Sequence, residues 1–109
     1  MADPTMKQLK IQTGVVKRIT KERYAYEKEA EMIEKKVEKM KAEGKDEYDI
    51  RKQEEVLEES RSMMPDTKRR LKKGIDSLID CMKKFEQEQT TEEYKTAEEV
   101  LDEAKKAME

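Results

Sequence analysis

The chain contains no histidine and no tryptophan, and only one cysteine, one phenylalanine, two prolines and three glycines among 109 residues. Without histidine it lacks the usual general base and the commonest zinc ligand. Cys81, standing alone, excludes an intrachain disulfide and a thiolate metal site, and fits a reducing compartment. No glycine-rich loop is present to cradle a phosphate. No apolar run approaches the roughly 20 residues of a membrane span, and the N-terminus shows no apolar signal-peptide core. Carboxylates are abundant but follow no EF-hand spacing. The expectation is a soluble cytoplasmic protein that is no enzyme and uses no metal or cofactor.

What the sequence does contain is charge. Charged residues make up 48% and apolar ones 34%. With so few helix breakers, and with Glu, Lys, Met, Ala, Leu and Gln dominant, this composition reads as long solvated helices with a thin core rather than as disorder. The net charge of −2 gives no bias toward nucleic acid or membranes as partners. The first two dozen residues are basic (Lys7, Lys10, Lys17, Arg18, Lys21, Arg23) and the last two dozen acidic. The two ends are therefore expected to pack near each other and partly neutralise.

Three helices are legible, at about 4–43, 47–86 and 91–108, forming one domain over the whole chain. The first opens at Asp3-Pro4, a capping residue followed by a proline suited to the first helical position. Its seam is Leu9, Val16, Ile19, Tyr26, Ala30, Ile33, Val37 and Met40, with Gln12 and Arg23 in the polar slots, a heptad pattern. Gly44 supplies the stop. The second helix starts near Asp46 or Asp49, with a seam of Ile50, Gln53, Leu57, Ser60, Met64, Thr67, Leu71, Ile75, Leu78, Met82 and Phe85. The third is expected to open with a capping box of Thr90 and Glu93, and its seam is Tyr94, Ala97, Leu101, Ala104 and Met108. Short connections make neighbours antiparallel. The predicted fold is all-α, an up-down-up antiparallel three-helix bundle. Helix three is the shortest, which leaves the half of the hairpin near Gly44 as a bare two-helix coiled coil.

Pro65 interrupts the second helical pattern. It removes the hydrogen bond to the carbonyl of Arg61 and clashes with the preceding turn, which costs roughly 3 kcal/mol in an undisturbed helix. The seam keeps its phase across it, so the expectation is one kinked helix, with a break near Ser62 as the competing reading. In an antiparallel hairpin Arg23 falls level with Lys68 and Arg18 with Lys73. Lys17, Arg18, Lys21, Lys68, Arg69, Arg70, Lys72 and Lys73 then share two or three turns beside Pro65, and could dock an acidic partner. The structural alternative is solvated charge answered by helix-three glutamates. Met32, Met40, Met63, Met64 and Met82 read mostly as core filler, with Met63 the best candidate for an adaptable binding surface.

Particular blocks of the sequence resemble the tubulin-folding cofactor A family. They are Ile11-Gln12-Thr13-Gly14-Val15-Val16-Lys17-Arg18, Tyr26-Glu27-Lys28-Glu29-Ala30, Tyr48-Asp49-Ile50, the run Glu59 to Leu71 with its Met64-Pro65-Asp66, Glu93-Tyr94-Lys95, and Val100-Leu101-Asp102. Thr67 stands where the family often has cysteine. The resemblance covers nearly the whole chain, and its order and spacing carry it. It implies a cytoplasmic, cytoskeleton-associated chaperone that binds β-tubulin after chaperonin release. It also implies that the chain holds a quasi-native monomer for other tubulin-folding cofactors, with no cofactor of its own. The residues expected to carry the tubulin contact are Lys17, Arg18, Lys21, Arg61, Asp66, Arg69 and Arg70, with Pro65 shaping the surface. The chain is expected to be a monomer or weak homodimer. The alternative is a coiled-coil adaptor or dimerisation module unrelated to tubulin.

Overall fold

A computed structural model of the chain describes residues 4–109. Three α-helices, α1 (Pro4–Ala42), α2 (Glu47–Lys83) and α3 (Glu92–Ala107), form a rod of 64 × 24 × 19 Å, and a single 3-10 turn at Glu86–Glu88 joins the last two. Among the described residues there is no strand. The bundle runs up-down-up, as expected.

The turns follow from local chemistry. At the end of α1, Gly44 takes φ +67°, a conformation that L side chains resist. This lets the Lys45 N–H reach the Met40 carbonyl (3.0 Å) and the Gly44 N–H the Lys41 carbonyl (3.2 Å), the Schellman pattern that satisfies the last carbonyls of a helix. Asp46 caps α2, accepting from the Tyr48 amide at 3.0 Å. The expected Asp3 cap lies outside the described residues.

At two places the chain departs from expectation. α2 ends at Lys83 rather than near residue 86. There the Lys84 and Phe85 amides bond three residues back, and Phe85 turns out at φ −119° to bury its ring in the core. The N-cap of α3 is Thr91, not Thr90. The Thr91 hydroxyl accepts from the Tyr94 amide at 3.3 Å and donates to the Glu88 carbonyl at 2.7 Å. The N3 position is therefore Tyr94, and the expected Thr90–Glu93 capping box does not form.

Every apolar seam position expected for α1 and α2 is buried or half-buried. The continuous core lies in the three-helix half, built on Leu9, Val16, Ile19, Leu71, Ile75, Leu78, Met82 and Phe85, with α3 adding Tyr94, Ala97, Val100 and Ala104. Ala30, Val37 and Leu57 are buried outside that cluster, in the two-helix half, here called the tip. Between the two apolar stretches the seam is polar: Arg23, Thr67 and Ser60 are buried. Arg23 reaches Glu27 at 3.2 Å, but its Nε has no partner, and neither has the Ser60 hydroxyl. α2 runs through Pro65 as one helix, so the competing break near Ser62 does not occur.

Gly74 packs against α1, where an added Cβ would stand 3.3 Å from Val16 Cγ2. Gly14, by contrast, has open space where its Cβ would be. Gly14→Ala is therefore expected to stabilise by about 1 kcal/mol, raising the melting temperature by roughly 4–8 °C. Gly74→Leu should separate the helices and lower it. Ser60→Ala removes an unpaired buried hydroxyl and should stabilise by about 1 kcal/mol. Thermal unfolding followed by circular dichroism measures all three, and a lower melting point for Ser60→Ala would mean that the hydroxyl is satisfied in solution.

Candidate functional site

The axial register spreads the anticipated contact residues along the middle of the rod, from Lys17 to Arg61 at the level of Glu34, and the helical phase distributes them around it. Lys17 and Lys21 lie on the flank of α1 that faces α3. With Thr20 and Tyr24 they form one wall of an open groove whose other wall is Thr96, Glu99, Val100 and Glu103. These two lysines thus face helix-three glutamates, and neither closes an ion pair among the described residues. Arg18, one residue on from Lys17, is exposed and turned away from that groove.

The α2 residues are partnered differently. Arg70 bridges the hairpin to Glu22 at 3.3 Å and also meets Asp66 at 3.5 Å. Arg69 meets Asp66 at 3.6 Å. Asp66 thus sits between two guanidinium groups, with Pro65 exposed immediately before it. Arg61 crosses to Glu34 at 3.2 Å, further toward the tip. The eight anticipated residues therefore do not make one uniform positive patch. Arg61, Arg69 and Arg70 each have a carboxylate, and Lys17 and Lys21 occupy a different flank of α1 from Glu22.

All these ion pairs are more than a third exposed. Pairs of this kind contribute only about 0–1 kcal/mol each, because water and mobile side chains compete with them. A charged protein surface can therefore re-partner them at little cost to the bundle. No group of three or more His, Cys, Asp or Glu side chains is placed to hold a metal among the described residues. Among the described residues no helix is long and apolar enough to cross a membrane.

Two features escaped the sequence reading. Glu22 is the carboxylate that ties Arg70 to α1, one residue from the Arg23 that the register set beside Lys68. Met32, grouped with the core fillers, is 63% exposed, as Ile11 and Val56 also are at 57% and 43%, whereas Met63, read as the best candidate for an adaptable surface, is 46% exposed. Their signal was the heptad itself, which puts none of the four on a seam position.

Comparison with known proteins agrees along nearly the whole chain. The family model described as tubulin binding cofactor A matches residues 4–101. Tubulin-specific chaperone A of Gallus gallus is 50% identical over 105 residues, covering 96% of this chain and 97% of the relative. The solved structure of the human tubulin chaperone cofactor A has a TM-score of 0.81 at 49% identity, covering 94% of this chain and 99% of that one. The crystal structure of tubulin folding cofactor A from Arabidopsis thaliana has a TM-score of 0.88 at 38% identity, covering 94% and 96%. These relatives are named for chaperone and cofactor roles, which are not catalytic, and the chain is not an enzyme. With the blocks around Gly14, Tyr26 and Pro65 in order and the three-helix rod in common, the chain belongs to the tubulin binding cofactor A family.

Proposed function

We propose that this chain is a holding chaperone for β-tubulin. It binds the quasi-native monomer after chaperonin release and keeps it until another tubulin-folding cofactor accepts it. The observation that carries this reading is 50% identity over 96% of the chain to proteins named tubulin-specific chaperone A. The geometry supports it. A long cofactor-free rod with charged flanks suits gripping a surface, and its half-exposed ion pairs exchange readily. The chain would work in the cytoplasm beside the cytoskeleton, as a monomer or weak homodimer when free of its client.

The contact is assigned to Lys17, Arg18, Lys21, Arg61, Asp66, Arg69 and Arg70, with Pro65 bending α2 at that level. Tubulin is acidic, so these arginines and lysines would trade their intramolecular carboxylates for tubulin's. Arg69 and Arg70 hold Asp66 and Glu22 only at the surface, so both can be reversed without disturbing the seam.

The test is gel-filtration co-elution with β-tubulin freshly released from the chaperonin, beside native αβ heterodimer. A complex with the monomer and little with the heterodimer is expected. The double variant Arg69→Glu, Arg70→Glu should weaken capture about tenfold or more at low salt, with helicity unchanged. Equal capture by variant and wild type would remove these arginines from the contact. No complex with either form of tubulin would move the adaptor reading to first place.

A further inference from the structure

We propose that the tubulin subunit seats in the groove of the tip that faces away from α3, over Tyr26, Ile33, Val56 and Met63. This assignment rests on the tubulin-binding reading above and narrows it: Arg18, Asp66, Arg69 and Arg70 stay beside the contact, and Lys17, Lys21 and Arg61, which lie on the α3 side, fall outside it.

A two-helix hairpin has two grooves, one on each side of its seam. In the three-helix half, one groove is filled by α3, lying against Thr20 of α1 and Met82 of α2. Toward the tip the same groove continues without a helix in it. Heptad steps from Thr20 lead to Glu34 and Lys41, and steps from Met82 lead to Arg61 and Glu54. Across it Glu34 pairs with Arg61 at 3.2 Å and Lys41 with Glu54 at 3.1 Å. Ion pairs close this side where α3 stops.

The opposite groove is located by the Arg70–Glu22 bridge. One and two heptads before Arg70 stand Met63 and Val56, both substantially exposed. Four and eleven residues after Glu22 come Tyr26 and Ile33, half-buried along the edge of the same groove. Among the described residues no ion pair crosses the tip on this side. One groove of the tip is thus roofed by charge; the other carries Met63 and Val56 on its α2 edge above Tyr26 and Ile33, with Glu29 and Lys36, one and two heptads after Glu22, exposed on its α1 edge and no ion pair across it.

The occupant follows from size and charge. Two exposed and two half-buried side chains fall well short of the roughly 800 Å² per partner of a stable interface, so a second copy meeting tip to tip would not be held. A large client would cover this groove together with the Arg70–Asp66–Glu22 cluster, which continues the same face into the three-helix half, and with the exposed Arg18 beyond it. It needs an apolar surface flanked by acidic groups, and an unassembled tubulin subunit fits because its own assembly surface is uncovered. Met63, unbranched and polarizable, adapts to such a surface without a fixed fit.

The test uses the full chain and β-tubulin released from the chaperonin. The double variant Val56→Asp, Met63→Asp is compared with a control on the roofed side, Glu38→Ala, Glu58→Ala, both of whose positions are also exposed. The apolar-groove variant should lose capture by at least about tenfold with its melting temperature unchanged, and the control should bind as wild type. Hydrogen exchange on the wild-type complex gives a second reading, with slowed amides expected around Tyr26–Ile33 and Val56–Met63. Wild-type capture with undiminished capture by the groove variant would overturn the assignment while leaving tubulin binding intact. No capture by wild type would overturn the tubulin reading and this assignment with it. A wild-type dimer in sedimentation equilibrium that the groove variant abolishes would make the occupant a second copy, and the assignment would fail.

Discussion

Everything in this rod depends on one narrow apolar seam between α1 and α2. With charged residues at 48%, the two long helices have a single stripe each with which to exclude water. Burying one leucine or isoleucine contributes about 1.5–3 kcal/mol, whereas an exposed ion pair contributes about 0–1 kcal/mol. The seam therefore sets the register, and the charges take partners from wherever the register leaves them. Glu22 meets Arg70, Glu34 meets Arg61 and Lys41 meets Glu54 because Val16, Leu57 and Leu71 are already fixed. The close approach at Gly74 belongs to the same constraint, since a larger residue there would shift the register that positions every charge above it.

The seam is not uniform, and its weakest stretch coincides with two other interruptions. Between the core of the three-helix half and the smaller apolar set of the tip, the buried positions are Arg23, Thr67 and Ser60. Two of their polar atoms find no partner, which inside a protein costs about 1–3 kcal/mol each. Pro65 lies at this level and deprives the Arg61 carbonyl of its helical donor. Around it the hydroxyls of Ser62 and Thr67 bond back to the carbonyls of Glu59 and Met63, a pattern associated with bent helices. α3 covers the half below and leaves the half above as two helices.

Element type and seam were legible because heptad spacing is a strong signal in a chain with so few breakers. Leu9, Val16, Ile19, Leu71, Ile75 and Leu78 carry it without ambiguity. Further buried positions were not legible: Thr13 and Thr20 of α1 and Val100 and Ala107 of α3 are buried because a third helix widens the arc that must be covered, and Gly74 and Cys81 are buried against α1. Small and polar residues do this well, and no hydropathy pattern marks them. Thr13 and Thr20 are tolerated there because each hydroxyl donates to the carbonyl four residues back, at 2.7 and 2.8 Å. The cap of α3 moved from Thr90 to Thr91 because adjacent threonines give the sequence two equal starts, and only the docking of Tyr94 chooses between them. At the candidate site, register arithmetic gave the level of each charge along the rod. Azimuth decides which charges can act together, and it separates Lys17 and Lys21 from Arg70.

A holding chaperone has to bind a surface that its client will later bury elsewhere, so its grip must be broad and each contact weak. The charged cluster at Asp66, Arg69, Arg70 and Glu22 has that character: every member already has a partner of low worth, and exchanging it for another alters little within the bundle. Such contacts alone would discriminate poorly, since any acidic protein could satisfy them. In the proposed holding role, the uncovered groove beside them would supply the missing discrimination, because it would return free energy only to a client with matching apolar surface exposed. Assembly of the client would hide that surface and withdraw the apolar contribution, leaving ion pairs that salt and water readily displace. Release on that proposal would call for no motion within the seam.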